Sequence, residues 1–169
     1  MKLSTQAPGR RLVLRGLPPY LPIAGALLLF PSSAFADSVT DWSAFADQVI
    51  AGAGAPPQQY RVLAMTQVAV HDALNSIDPR YRTYSIVGAM NPNASPDAAV
   101  ARAAADVLRA SMPSQVAAID AQYAASIAAL PACPASAPQC ISQGIDAGAA
   151  AAAAILQLRQ GDGSATPHL

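Results

Sequence analysis

Lysine and glutamate are missing from most of this sequence, and their absence limits which partners the chain can take. Beyond residue 36 there is no lysine, and all ten acidic residues of the chain are aspartates. Six arginines against ten aspartates give that part of the chain a formal net charge of −4. A groove for nucleic acid needs clustered lysine and arginine to neutralise phosphates. The composition therefore disfavours a nucleic-acid partner.

Large apolar side chains are also scarce. The 169 residues include three phenylalanines, five tyrosines and one tryptophan, although 53% of the chain is hydrophobic. Much of that fraction is alanine, which buries little area per residue, so we expect a thin core. With 12% charged residues, the composition does not belong to the disordered class. The length fits a single domain.

Histidine occurs twice, as His71 and His168. His71 precedes Asp72 and lies one helical turn before Asn75, which raises the hypothesis of a hydrolase that uses His71 as a base. Adjacent helix residues point about 100° apart, so Asp72 is poorly placed to orient the His71 ring. We predict instead a buried, hydrogen-bonded structural histidine, with Asp72 and Asn75 satisfying nearby backbone groups. We therefore predict no catalytic, cofactor-binding or metal-binding residue.

The two cysteines, Cys133 and Cys140, enclose a turn-rich segment. In an exported chain an isolated pair of this kind predicts a disulfide. The competing interpretation is a metal site, which would need two further ligands, and only His71 and His168 are available.

The first 36 residues predict a signal peptide. Its basic residues are Lys2, Arg10, Arg11 and Arg15. An apolar stretch from Leu17 to Phe30 follows, and Ala34-Phe35-Ala36 offers a cleavage site after Ala36. The stretch is short and interrupted by prolines, so a membrane anchor is the weaker alternative. We expect export to the periplasm or outside a bacterial cell by the general secretory route or, given Arg10-Arg11, by the twin-arginine route, with no stable membrane anchor after processing.

Hydrophobic periodicity after residue 36 predicts an all-α fold, a helical bundle of about five helices over residues 37–166 with 167–169 as terminal residues. The predicted helices span 41–51, 56–77, 96–111, 114–130 and 139–159. Thr40 is expected to cap the first helix, and Ser95 the third. In the fifth helix Gly144, Gly148 and Ala152 repeat every four residues, which lets another helix approach closely.

The fourth helix carries a predicted inward stripe, and the third a set of charged residues predicted to pair along its outer side. The stripe comprises Val116, Ile119, Tyr123, Ile127 and Leu130. The charged set comprises Arg102, Asp106 and Arg109.

Several segments form an ordered series over most of residues 37–166. They are Asp41-Trp42, Arg61-Val62-Leu63-Ala64-Met65, His71-Asp72-Ala73-Leu74-Asn75-Ser76-Ile77-Asp78-Pro79-Arg80-Tyr81, Ser95-Pro96-Asp97-Ala98-Ala99-Val100-Ala101, the block 144–159 and Asp162-Gly163-Ser164. This series resembles the N-terminal helical region of bacterial vanadium-dependent haloperoxidase-like proteins, relatives of the type 2 phosphatidic acid phosphatases. The resemblance implies an α-helical bundle and, in the full-length parent family, a site for vanadate or phosphate.

The family's site uses a lysine, an arginine before a proline, a Pro-Ser-Gly-His segment, and a later arginine and histidine. None of these can be carried over, because the sequence beyond residue 36 has no lysine, no Arg-Pro pair and no Ser-Gly-His. We therefore expect the chain to be the non-catalytic N-terminal portion of such a protein, without its own cofactor and inactive alone. Its expected partner is the missing catalytic half or a second subunit. The alternative is a self-contained exported helical module with a binding or structural role.

Overall fold

The computed structural model describes residues 37–51, 54–85, 88, 90 and 92–164. The helices are α1 (Ser38–Ile50), α2 (Pro56–Ile77), α3 (Pro96–Ser111), α4 (Val116–Ala128) and α5 (Cys140–Leu158). A short 3₁₀ turn, Pro113–Gln115, precedes α4, and the described part of the chain contains no strand. The all-α prediction is confirmed. The proposed signal peptide, its cleavage after Ala36, residues 167–169 and His168 lie outside the described residues.

The start of α1 differs from the prediction. Asp37 occupies the capping position, and its carboxylate accepts a hydrogen bond from the Thr40 N–H at 3.0 Å. Thr40 lies inside the first turn, because an acid one position before the helix can satisfy the free N–H groups and interact favourably with the helix dipole. The prediction that Thr40 caps α1 was wrong. For α3 the prediction of Ser95 as the cap is confirmed, since its hydroxyl accepts from the Ala98 N–H at 3.3 Å.

The centre of the bundle is α3, which packs against each of the other four helices. Nine of its 16 residues are buried, and most of these are alanines. The largest fully buried apolar side chains come from four different helices and are Trp42, Leu108, Ile119 and Ile155. The core therefore combines a few large residues with many methyl groups, as the scarcity of aromatic residues predicts.

Helices α3 and α5 form the most extensive helix pair, which we call the α3–α5 seam. A Cβ atom added at Gly148 would lie 2.7 Å from Arg102 Cβ and 2.8 Å from Ala103 N. One added at Gly144 would collide with the carbonyl oxygen of Ser95. The glycines thus allow the two backbones to touch, as their spacing in the sequence predicted.

Helix α4 is attached much more thinly. Of the predicted inward stripe only Ile119 is buried, whereas Val116, Tyr123, Ile127 and Leu130 are half-buried. The reason is geometric, because among the described helices α4 packs extensively on α3 alone. Seven alanines between residues 117 and 129 are exposed.

Cys133 and Cys140 lie at disulfide distance, with their Cα atoms 5.7 Å apart, in agreement with the prediction. The pair joins the loop before α5 to the first residue of that helix. A disulfide of this kind is typical of a protein in an oxidising compartment.

Among the described residues one helix, α5, is long and apolar enough to cross a membrane when judged by length and composition alone.

Candidate functional site

The residues singled out by the sequence line a cleft of about 390 Å³ at the end of α2. His71 and Asn75 lie on its wall, together with Tyr81 from the following loop. The aliphatic part of the wall is contributed by Leu74, Ile77 and Pro96. The only described histidine lies in this cleft, so catalysis by a histidine of the described residues would have to take place here.

Asp72 does not line this cleft. Its carboxylate is fully buried and accepts three hydrogen bonds, from Tyr84 N at 2.7 Å, Ser85 N at 2.7 Å and Ser85 Oγ at 2.8 Å. Such a carboxylate holds the loop after α2 against the helix, since unmade bonds to a buried charge are costly. Asp72 therefore fixes a loop, as predicted.

Asn75 has the same role one turn later. Its side-chain oxygen accepts from Arg80 N at 3.2 Å and Tyr81 N at 2.8 Å, and its Nδ2 donates to the His71 carbonyl at 2.8 Å. Together Asp72 and Asn75 hold four backbone N–H groups between residues 80 and 85. The prediction that these two side chains satisfy backbone groups is confirmed.

His71 is half-buried, which is less than the sequence suggested. Its Nε2 lies 3.1 Å from the carbonyl oxygen of Arg82. A carbonyl oxygen only accepts, so in this arrangement Nε2 is the protonated ring nitrogen and donates a hydrogen bond to that oxygen. Its Nδ1 lies 3.4 Å from Asn75 Nδ2, and the ring tilts toward Tyr81 with 6.4 Å between centroids. A base needs an orienting acid and a reacting group within hydrogen-bond reach. Asp72 does not supply the first.

A second cleft, of about 240 Å³, lies between the start of α2 and the end of α5. Arg61 donates from Nε and Nη2 to one oxygen of Asp162, at 3.1 and 2.9 Å, and Nη2 also lies 3.3 Å from the Arg159 carbonyl. Hydrogen bonds from Ser164 and from Arg61 lower the pKa of Asp162 to about 2. We call this Arg61–Asp162 arrangement the clasp, because it ties α2 to the turn that follows α5 across 101 positions of sequence.

Arg159, whose carbonyl oxygen accepts from Arg61 of the clasp, also contacts the loop after α2. Arg159 donates to the Tyr84 hydroxyl at 2.6 Å, and its guanidinium lies 5.6 Å from the centre of the Tyr84 ring. Tyr84 is itself placed by the bond from its N–H to Asp72. Residues from four separate parts of the resembling series therefore form one connected set of contacts.

Charged residues also hold α4 on α3. Asp106 accepts from Arg102 at 2.6 Å and from Arg109 at 2.7 Å, and Arg109 reaches Asp120 on α4 at 2.7 Å. Both guanidinium groups lie over the ring of Tyr123, at 6.0 and 4.9 Å. The hydrogen bond to Asp106 raises the pKa of Arg102. The predicted pairing of Arg102, Asp106 and Arg109 is confirmed, and its extension to α4 was not foreseen.

Among the residues with described positions, no cluster of three or more histidine, cysteine, aspartate or glutamate side chains is arranged to hold a metal ion. The competing prediction of a metal site at the cysteines is disfavoured by their geometry, since each sulfur lies at bonding distance from the other.

The clasp is the feature that sequence inspection missed. Arg61 and Asp162 both belong to the resembling series, but nothing in their local sequence states that they meet. Their presence in two motifs at opposite ends of the domain was the available signal.

No protein-family model matches the chain, and comparisons with curated proteins and with solved structures find no match.

Proposed function

We propose that this chain is the non-catalytic N-terminal helical portion of an exported vanadium haloperoxidase-like or phosphatase-like protein. In this proposal its role is structural, and the vanadate or phosphate site belongs to the catalytic half or to a second subunit. The observation that carries the proposal is that the polar residues of the resembling series hold the fold together. Arg61, Asp72, Asn75 and Asp162 each bind a loop or a second helix.

The arrangement of the arginines supports the same proposal. An oxyanion site requires several cationic donors that converge on one point and are free to bind. Arg61 instead donates to Asp162, while Arg102 and Arg109 both donate to Asp106 at a separate place on α3. Pulling them onto an anion would break the contacts that attach α4 and the end of α5.

The test uses the full chain, purified and mixed with orthovanadate. We expect the ⁵¹V NMR line of vanadate to keep its width, with no bromide oxidation in the presence of peroxide and no hydrolysis of a phosphomonoester. A His71→Ala variant serves as the matched control and should give the same background in every assay. Vanadate-dependent turnover by the unmodified chain contradicts the proposal, and turnover that is lost in His71→Ala revives the hydrolase hypothesis.

A second candidate is a self-contained exported helical module that binds or stabilises another protein. Its supporting observation is that the described residues between 37 and 164 lie in one compact unit with large side chains from four helices in its core. This candidate predicts a monodisperse chain that melts cooperatively and binds no hydrophobic dye. The leading proposal predicts dye binding and self-association, because a face that belongs against a catalytic half remains uncovered.

The proposal also includes the place of action. An exported chain would meet an oxidising environment in the periplasm or outside the cell, which fits cysteines at disulfide distance. N-terminal sequencing of the exported protein tests the cleavage. A first residue other than Asp37 contradicts the predicted processing.

A further inference from the structure

The disulfide lies at the point where α5 begins, and one of its sulfurs acts as the cap of that helix. Gln139, in the capping position, makes no side-chain cap hydrogen bond. Instead the Ile141 N–H donates to Cys133 Sγ at 3.2 Å. The first N–H groups of a helix have no partner within the helix, so this contact satisfies one that would otherwise remain free.

The same residue pair is connected to the start of α3. The carbonyl oxygen of Cys140 accepts a hydrogen bond from Ser95 N at 2.8 Å, and the Ser95 hydroxyl caps α3. One turn further along α5, Gly144 lies directly over the Ser95 carbonyl. The disulfide, the cap of α3 and the first glycine of the α3–α5 seam therefore form one continuous junction.

We propose that the Cys133–Cys140 disulfide is a redox latch that seats the first turn of α5 on the N-terminus of α3. Two turn hydrogen bonds, from Ala137 N to Pro134 O at 2.9 Å and from Cys140 N to Ala137 O at 3.0 Å, fold the loop before α5, but neither involves Cys133. The S–S bond is therefore the described contact that fixes Cys133 Sγ beside Ile141. Reduction therefore releases the cap of α5 and weakens the Ser95–Cys140 hydrogen bond. The inference does not depend on the proposed function, because it concerns the junction alone.

The chemistry is a two-electron exchange with a dithiol reductant. A thiolate of the reductant attacks one cysteine sulfur, which breaks the S–S bond and forms a mixed disulfide. The second thiol of the reductant then displaces the protein sulfur, so the reductant becomes the disulfide and the protein gains two thiols with their two protons. Reoxidation reverses each step, and the latch closes in a compartment that maintains disulfides.

The consequence is a local difference between the two redox states. In the reduced chain we expect the start of α5 and the cap of α3 to open, while the middle of α2 stays protected. Openings of this kind involve one part of a structure with a lower free energy than global unfolding.

The test is amide hydrogen exchange on the full chain, oxidised or treated with excess dithiol. The reporters are the amides of Ile141 and Ser95, and the reference amides are those of Ala69 and Val70 in α2. We expect exchange at the two reporters to rise by about 10- to 100-fold on reduction, with less than about a threefold change at the reference amides. Unchanged reporters overturn the proposal, and so does an equal rise at all four amides, which would indicate a uniform loss of stability.

A Cys133→Ser/Cys140→Ser variant provides the matched control. Its reporters should exchange at the fast rate whether or not dithiol is present. A response of this variant to dithiol overturns the assignment of the effect to the disulfide. A variant that does not fold leaves the decision to the reduction experiment on the unmodified chain.

Discussion

The α3–α5 seam and helix α4 are both built from alanine, yet the two regions are held in opposite ways. In the seam, backbone lies against backbone, and Ala98, Ala99 and Ala103 are completely buried. In α4 all six alanines are exposed, and attachment depends on Ile119 and on the charges around Arg109. The difference teaches that alanine content predicts a helix but says nothing about how closely that helix will be packed.

The largest expected effect comes from adding the same side chain to both regions. Ala103→Leu places a large residue where no space exists and should lower the free energy of unfolding by about 3 kcal/mol. Ala121→Leu, on the exposed side of α4, should change it by no more than about 0.5 kcal/mol. Urea titrations of the two variants measure both values. Equal effects would remove the contrast between the regions.

Truncating Ile119 tests the single deep contact of α4. Ile119→Ala should cost about 2–3 kcal/mol, because it removes a fully buried side chain and leaves a cavity. We also expect new proteolytic cleavage within residues 116–130 while α5 stays intact. Cleavage that appears equally in α5 would indicate that the two helices are one cooperative unit.

Gly148→Ala probes the closest approach in the seam. Alanine gains about 1 kcal/mol in helix propensity over glycine, but here its methyl group meets the backbone of α3, so a net loss of about 1–2 kcal/mol is expected. Gly88→Ala is the matched control, since an added Cβ there has no neighbour within 4 Å. Thermal melting measures both. A stabilised Gly148→Ala variant would show that the seam can spread without penalty.

Arg109→Gln weakens the charged attachment of α4 and should cost about 0.5–1 kcal/mol, since these groups are partly exposed. Salt should also lower the stability of the unmodified chain, because it screens the ion pairs of Arg109 with Asp106 and Asp120. Hydrogen exchange in α4 should rise in 1 M salt, while exchange in α5 should not. A salt response confined to α5 would reverse the comparison.

The smallest effect concerns the clasp at the far end of α5. The folded-state pKa of Asp162 is about 2, lower than its ordinary value of 3.8. The clasp therefore contributes its stability fully above about pH 4, and that contribution is lost as the pH falls toward 2. Carboxyl NMR titration should give a midpoint near 2, and Arg61→Gln should raise it. A midpoint that stays in place in Arg61→Gln would leave Ser164 as the sole cause.

The sequence predicted five helices and most of their ends, because caps and breakers such as Ser95 and Pro96 act locally. It was wrong on the cap of α1, where Asp37 and Thr40 both suit the position and only the path of the chain decides. It also overrated the stripe of α4. Periodicity identifies the apolar side of a helix, but the number of neighbours that cover this side depends on the whole packing.

The site was predictable only in part. Asp72 and Asn75 act within about 13 positions of themselves, so their role in binding backbone could be argued from the helix that carries them. The clasp joins residues 101 positions apart, and no local rule pairs Arg61 with Asp162. The haloperoxidase-like resemblance stays a prediction, and the vanadate experiment is the measurement that bears on it.

The glycines of the α3–α5 seam restrict which substitutions this chain can accept. Any replacement of Gly144 or Gly148 makes the residue larger, and at both positions the first added atom meets the backbone of α3. Alanine loses almost no side-chain entropy on folding, which helps a bundle with so few large residues to form. Every substitution at these two positions is therefore expected to lower the stability of the fold.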